Sequence, residues 1–207
     1  NSIDIPGPET SSLCDSAKKN DCYIVIGVNE RGPKQLGTIY NTNITISPAG
    51  EIIGRHRKLV PTWAEKLTWS GGDGSTLKVH DTDIGIIGTL ACGENTNPLA
   101  RFTLMAHGEQ IHIANYIGLP TAPKEYNMAE AIKLRGMTHS FEGKIFTIIS
   151  CSTVSEDIIT EMEAFVPDAR ALLTRKNGAF SGIIGPDGNL IGDGIIDDEG
   201  IIYAEID

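Results

Sequence analysis

The chain has 207 residues, 40 % of them apolar, which is enough to bury a sizeable core and is read as one domain over 1–207. Lys and Arg number 17 against 27 Asp and Glu, and the resulting net charge of −10 repels phosphate backbones and anionic lipid. Nucleic-acid and membrane partners are therefore not expected: no apolar stretch approaches the ~20 residues that cross a bilayer, and no signal-peptide pattern opens the sequence.

The 23 glycines and 10 prolines imply many turns and hence many strands. In chain order, "PETSSLCDSAKK" (8–19) reads as a short helix with Pro8 and Glu9 in its first turn. "CYIVIGV" (22–28) is a buried strand, and "TIYNTNITI" (38–46) runs through the turn "SPAG" into "EIIGRHRK" (51–58). Strands follow at 77–82 and 84–92, the second buried on both faces. Asn97 fits an N-cap with Pro98 behind it and Gly108 past the end, and Leu99, Phe102 and Ala106 fall on one helical face. "QIHIANY" (110–116) is the next strand and the expected neighbour of 84–92, which makes this stretch a βαβ unit. A helix over 126–143, a strand over 144–151, a helix over 168–175 and strands near 179–184, 189–195 and 200–206 complete the reading. "ITISPAGEIIG" and "SGIIGPDGNLIG" share a strand, Pro-x-Gly turn, strand pattern, explained equally by turn chemistry or a repeat. The expected architecture is α/β, with helices outside layered sheets.

Four cysteines (Cys14, Cys22, Cys92 and Cys151) form no C-x-x-C pair and are too sparse for a disulfide framework, so free thiols in a reducing, cytoplasmic compartment are expected. Cys92 stands where an apolar strand stops and a helix has not begun. Ligands of α/β sheets gather at such strand ends, Gly93 removes a side chain next to the sulfur, and nearby amide N–H groups favour a thiolate and a developing anion. A buried structural thiol is the competing reading. The stretch "GRHRKLVPTWAEKLTWSGGDGS" (54–75) gathers Lys58, Glu65, two Trp and a Gly-rich loop beside a strand end, as pocket loops do; a solvated edge strand accounts equally for Arg55, Arg57 and Lys58. Glu94 is read either as a contact to the site or as a solvated turn residue. The five histidines show no ligand spacing, so no metal is expected.

Taken together, "HRKLVPTWAEKLTW" with "GDGS", "CGENTNPLARF", "HGEQIHIANY", and the later "IIGPDGNLI" and "DDEGIIYAEID" resemble the nitrilase branch of the carbon–nitrogen hydrolase superfamily in order and spacing. The resemblance implies a four-layer α-β-β-α sandwich, here incomplete at both ends. It implies a Glu–Lys–Cys set in which Cys92 is the nucleophile, Lys58 the lysine, and Glu65 a further glutamate that orders the site and assists proton transfer. The glutamate that serves as general base lies, in the family, on a segment upstream of these residues, and Glu9 does not match it. Trp63, Gly93, Asn115 and Tyr116 are candidate substrate contacts. The implied reaction is hydrolysis of a small nitrile, arylaliphatic or arylacetonitrile in type, to acid and ammonia through thioimidate and thioester intermediates. No cofactor is needed, and a homo-oligomer, from dimer to spiral, is implied. An amidase of the same superfamily, a Cys–His acyl hydrolase, and a catalytically incomplete fragment with an assembly role are the alternatives.

Overall fold

The computed structural model describes residues 2–32, 37–118 and 125–207. Contacts divide the chain into two units, Asn1–Asn115 and Tyr116–Asp207.

In the first unit α1 (Pro8–Asn20) carries Glu9 in its first turn and Lys18 and Lys19 in its last, matching the helix dipole, and stops where Asp21 turns left-handed at φ 50°. Strands β1 (Ile24–Arg31), β2 (Ile39–Ile46) and β3 (Ile52–Arg57) form an antiparallel sheet in the order β1-β2-β3. Next come β4 (His80–Thr82), β5 (Gly85–Ala91), α2 (Pro98–Ala106) and β6 (Ile111–Ile117). β4 runs antiparallel to β5, and β5 runs parallel to β6 with Ala91 opposite Asn115, the βαβ unit expected from the sequence.

Alternation along β2 sets the layers. Ile44 and Ile46 turn to one face, where Ala17, Leu13 and Cys14 of α1 cover them. Asn43 turns to the other and donates from Nδ2 to Thr89 Oγ1 of β5 at 2.7 Å. The far face of β5 is covered by α2, where Leu90, Leu77, Ala100 and Leu104 form one buried cluster. Helix, sheet, sheet and helix thus stack within this unit.

Several expected boundaries move, each for a reason of packing. β1 continues through Asn29, Glu30 and Arg31, because Glu30 is buried beneath Arg55 and Arg57 rather than solvated. Of 77–82 only His80–Thr82 is strand, since Leu77 joins the cluster under α2. The apolar face Leu99–Phe102–Ala106 is not the buried one: Leu99 and Phe102 are 76 % and 64 % exposed, and Ala100 and Leu104 face the core.

In the second unit α3 (Met128–Gly143) leads to β7 (Phe146–Ser152), α4 (Glu156–Glu163), α5 (Ala169–Leu173), β8 (Phe180–Ile184) and β9 (Leu190–Ile196). β7, β8 and β9 pair antiparallel in that order. α3 lies close on them at Gly136, where an added Cβ would fall 2.6 Å from Ile149 Cδ1. α4 is absent from the sequence reading, although Ser155 caps it by accepting from the Ile158 N–H at 3.4 Å. Residues 200–206 form no strand, and Ile201 and Tyr203 are exposed. The two Pro-x-Gly hairpins close alike, Gly50 at φ 79° and Gly188 at φ 80°, conformations that favour glycine. Among the described residues no helix is long and apolar enough to cross a membrane.

Candidate active site

β5 ends at Ala91 in extended conformation, and Cys92 swings to φ 51° as the first residue of a short 3-10 turn, Cys92–Thr96. A left-handed non-glycine residue costs about 1–3 kcal/mol and persists only where its surroundings over-determine it. A sharp strand-to-helix kink of this kind lifts a side chain clear of the sheet, as a nucleophile requires. The thiol is free and Cys92 is half-buried. The kink falls on Cys92 itself; Gly93 is not left-handed, and its missing side chain serves instead to admit Thr62, whose Oγ1 lies 2.9 Å from where a Cβ would stand.

Lys58, directly after β3, is almost wholly buried, so the solvated-edge alternative does not describe it. Its Nζ donates to Glu65 Oε2 at 2.6 Å, and the same oxygen accepts the Thr62 N–H at 2.5 Å. Glu65 belongs to the 3-10 turn Trp63–Leu67, so one carboxylate fixes both the lysine head and the loop that abuts Gly93. Arg55 and Arg57 are only partly exposed: both donate to buried Glu30, and Arg57 stacks 4.1 Å from the Tyr40 ring centroid.

Glu94 ties the Cys92 turn to the end of β3. Its Oε1 accepts the Leu59 N–H at 2.8 Å, while Oε2 accepts the Ala91 N–H at 3.1 Å and meets His56 Nε2 at 2.8 Å. Burial pushes this carboxyl upward, but the bonds from His56, Leu59 and Ala91 prevail and hold it below its ordinary value. His56 Nδ1 faces the Thr76 carbonyl at 3.2 Å, so both ring nitrogens address acceptors. The solvated-turn reading of Glu94 is replaced by a buried staple, whose partners lie 35 and 38 positions away.

The other sequence candidates fall in different settings. Asn115 points between the sheets and donates from Nδ2 to Asn43 Oδ1 at 3.3 Å. Trp63 is 81 % exposed with φ 46°, on the loop between Lys58 and Glu65. Tyr116 begins the second unit and is buried. Asn43, which opens an Asn-Ile-Thr glycosylation pattern, is buried and bonded to Thr89, where no glycan fits. Sequence reasoning did not single out Asn95, Glu109 or His112, which form a buried chain behind Cys92.

The profile of the family described as carbon–nitrogen hydrolase matches residues 1–207. Among curated relatives, a "Nitrilase 3" from an unknown prokaryotic organism is 33 % identical over 205 residues, covering 99 % of this chain and 60 % of its own. "Nitrilase 1" of Arabidopsis thaliana is 34 % identical over 212 residues, covering 99 % and 57 %. The chain thus spans about three fifths of the length of these relatives. Among solved structures, a carbon–nitrogen hydrolase from Helicobacter pylori G27 aligns with a TM-score of 0.77 at 21 % identity, over 96 % of this chain and 67 % of the other. Nit3 of Saccharomyces cerevisiae, described as a member of branch 10 of the nitrilase superfamily, aligns at 0.71 and 21 %, over 94 % and 63 %. These two likenesses concern the fold.

Proposed function

The chain belongs to the carbon–nitrogen hydrolase family, and from that premise we propose that its full-length protein is a nitrilase converting a small nitrile to a carboxylic acid and ammonia. The observation that carries this reading is the kinked, half-buried Cys92 at the end of β5, cross-tied through Glu94 to the strand that delivers the Lys58–Glu65 ion pair. The nitrilase names of the relatives support the choice of substrate class.

In the proposed mechanism a carboxylate base takes the Cys92 proton, and the thiolate forms an S–C bond to the nitrile carbon. A π pair of the C≡N bond moves onto nitrogen, which is protonated to give a thioimidate. Lys58 and the Gly93 N–H stabilise that charge, while Glu65 holds the ammonium in place and assists proton transfer. Water adds to the thioimidate carbon, ammonia departs and a thioester remains. A second water then releases the acid and returns the thiolate. Expulsion of the thiolate before ammonia would yield an amide instead. Trp63, Gly93 and Asn115 are retained as proposed substrate contacts. A homo-oligomer in a cytoplasmic setting completes the proposal.

The test is ammonia release from a nitrile panel by the full-length gene product, with acid and amide both quantified, beside Cys92→Ala. Release by the wild type that vanishes in the variant is expected. Equal release from both removes Cys92 from the mechanism, and release from amides alone favours an amidase.

A further inference from the structure

The turn that carries Cys92 is gripped from behind by polar side chains that the mechanism above leaves unused. Asn95, only 4 % exposed, donates from Nδ2 to the Cys92 carbonyl at 3.0 Å and to the Leu90 carbonyl at 3.4 Å. With its amino group committed to two carbonyls, its Oδ1 is an acceptor, and His112 Nε2 lies 2.8 Å from it. His112 is fully buried and turns Nδ1 to Glu109 Oε1 at 2.7 Å. The space for this carboxylate comes from β5: His112 sits opposite Gly88 in the register, and a Cβ on Gly88 would fall 1.9 Å from Glu109 Oε1. Glu109, His112 and Asn95 therefore form one continuous chain of hydrogen-bonded contacts that ends on the Cys92 carbonyl.

In a trans peptide the N–H points opposite to the C=O. Drawing the Cys92 carbonyl toward Asn95 turns the Gly93 N–H the other way, and the same bond polarises that peptide, since hydrogen bonds in series strengthen one another. We propose that Glu109–His112–Asn95 is a positioning relay that aims and strengthens the Gly93 amide as donor to the negative charge formed when Cys92 adds to its substrate. This rests on reading Cys92 as the nucleophile. The three residues act through the peptide and not on the substrate.

Two reactions of one thiol separate this role from simple structural support. Propionaldehyde adds reversibly: the Cys92 thiolate forms an S–C bond, the carbonyl π pair moves onto oxygen, and that oxygen needs the Gly93 N–H. Iodoacetamide alkylates the same sulfur with loss of iodide and develops no charge on an oxygen. In the full-length protein, iodoacetamide labelling of Cys92 is followed by mass spectrometry with and without propionaldehyde, for wild type, Asn95→Asp, Glu109→Gln and Cys92→Ala. Asn95→Asp, which has no donor for the Cys92 carbonyl, is expected to weaken aldehyde protection by about tenfold or more, with alkylation alone held within about twofold. Glu109→Gln is expected to show the same split to a smaller extent, about threefold, and it keeps the test open should the aspartate variant fold poorly. Aldehyde protection unchanged in both variants overturns the relay while leaving the nucleophile assignment standing. Absence of aldehyde protection at Cys92 in the wild type overturns the nucleophile reading and the relay with it.

Discussion

Lys58 shows how much one buried head group depends on its loop. Taken from water, an ammonium needs a close counter-charge, and Glu65 supplies it at 2.6 Å while also capping its own 3-10 turn through the Thr62 N–H. Replacing Lys58 with Met keeps most of the buried volume and removes the cation. We expect Lys58→Met to lower kcat on the best nitrile by about 10²-fold or more, with Cys92 still open to alkylation. In a Cys–His hydrolase the same change would be nearly silent and a histidine would be indispensable; here His56 and His112 are both turned to other partners. Steady-state kinetics of Lys58→Met decides between these: a loss of that size upholds the lysine's role, and near-wild-type turnover favours the Cys–His reading.

At the scale of the element, α2 sets the direction in which the chain leaves the Cys92 turn. Asn97 Oδ1 accepts from the N–H groups of Leu99 and Ala100, and Pro98 follows at the first helical position. Asn97→Ala is expected to cost about 1 kcal/mol of stability, whereas Leu99→Ser, on the exposed face, is expected to change it by less than about 0.5 kcal/mol; urea denaturation measures both. This helix was legible in the sequence because cap, proline and terminal glycine are local signals. Its buried face was not, because Ala100 looks less apolar than Phe102 and only the position of β5 decides which side is covered. α4 had a readable cap in Ser155 and acidic residues at its start, Glu156 and Asp157, yet its eight residues leave little room for apolar periodicity. The alternation at 200–206 reads as a strand, but a strand exists only against a partner. The same limit governs the site. Cys92, Lys58 and Glu65 stand out by residue type and by resemblance, while Glu94 and Asn95 look like turn formers until the folded chain brings His56 and His112 to them.

The whole molecule is acidic, with a net charge of −10, and its response to acid turns on the few carboxylates that are buried. Burial raises the Glu30 carboxyl, but the bonds from Arg55, Arg57 and Thr42 outweigh it and bring the folded value to about 2 from an ordinary 4.5. A depressed carboxylate contributes stability that is fully present above its unfolded value and lost as pH falls through the folded one. Glu30 therefore contributes at pH 7, and that contribution drains away between about pH 4.5 and pH 2. Glu30→Gln, which leaves two guanidinium groups facing a neutral amide, is expected to lower stability at pH 7 by about 3 kcal/mol and to flatten the acid limb of a stability–pH curve. The chain has two tryptophans, and both lie just beyond Lys58: Trp63 open to solvent, and Trp69 half-buried with its indole N–H on Asn29. Tryptophan emission from these residues consequently originates on the segment that follows Lys58, and its collisional quenching by iodide will report the exposure of that segment with no attached dye.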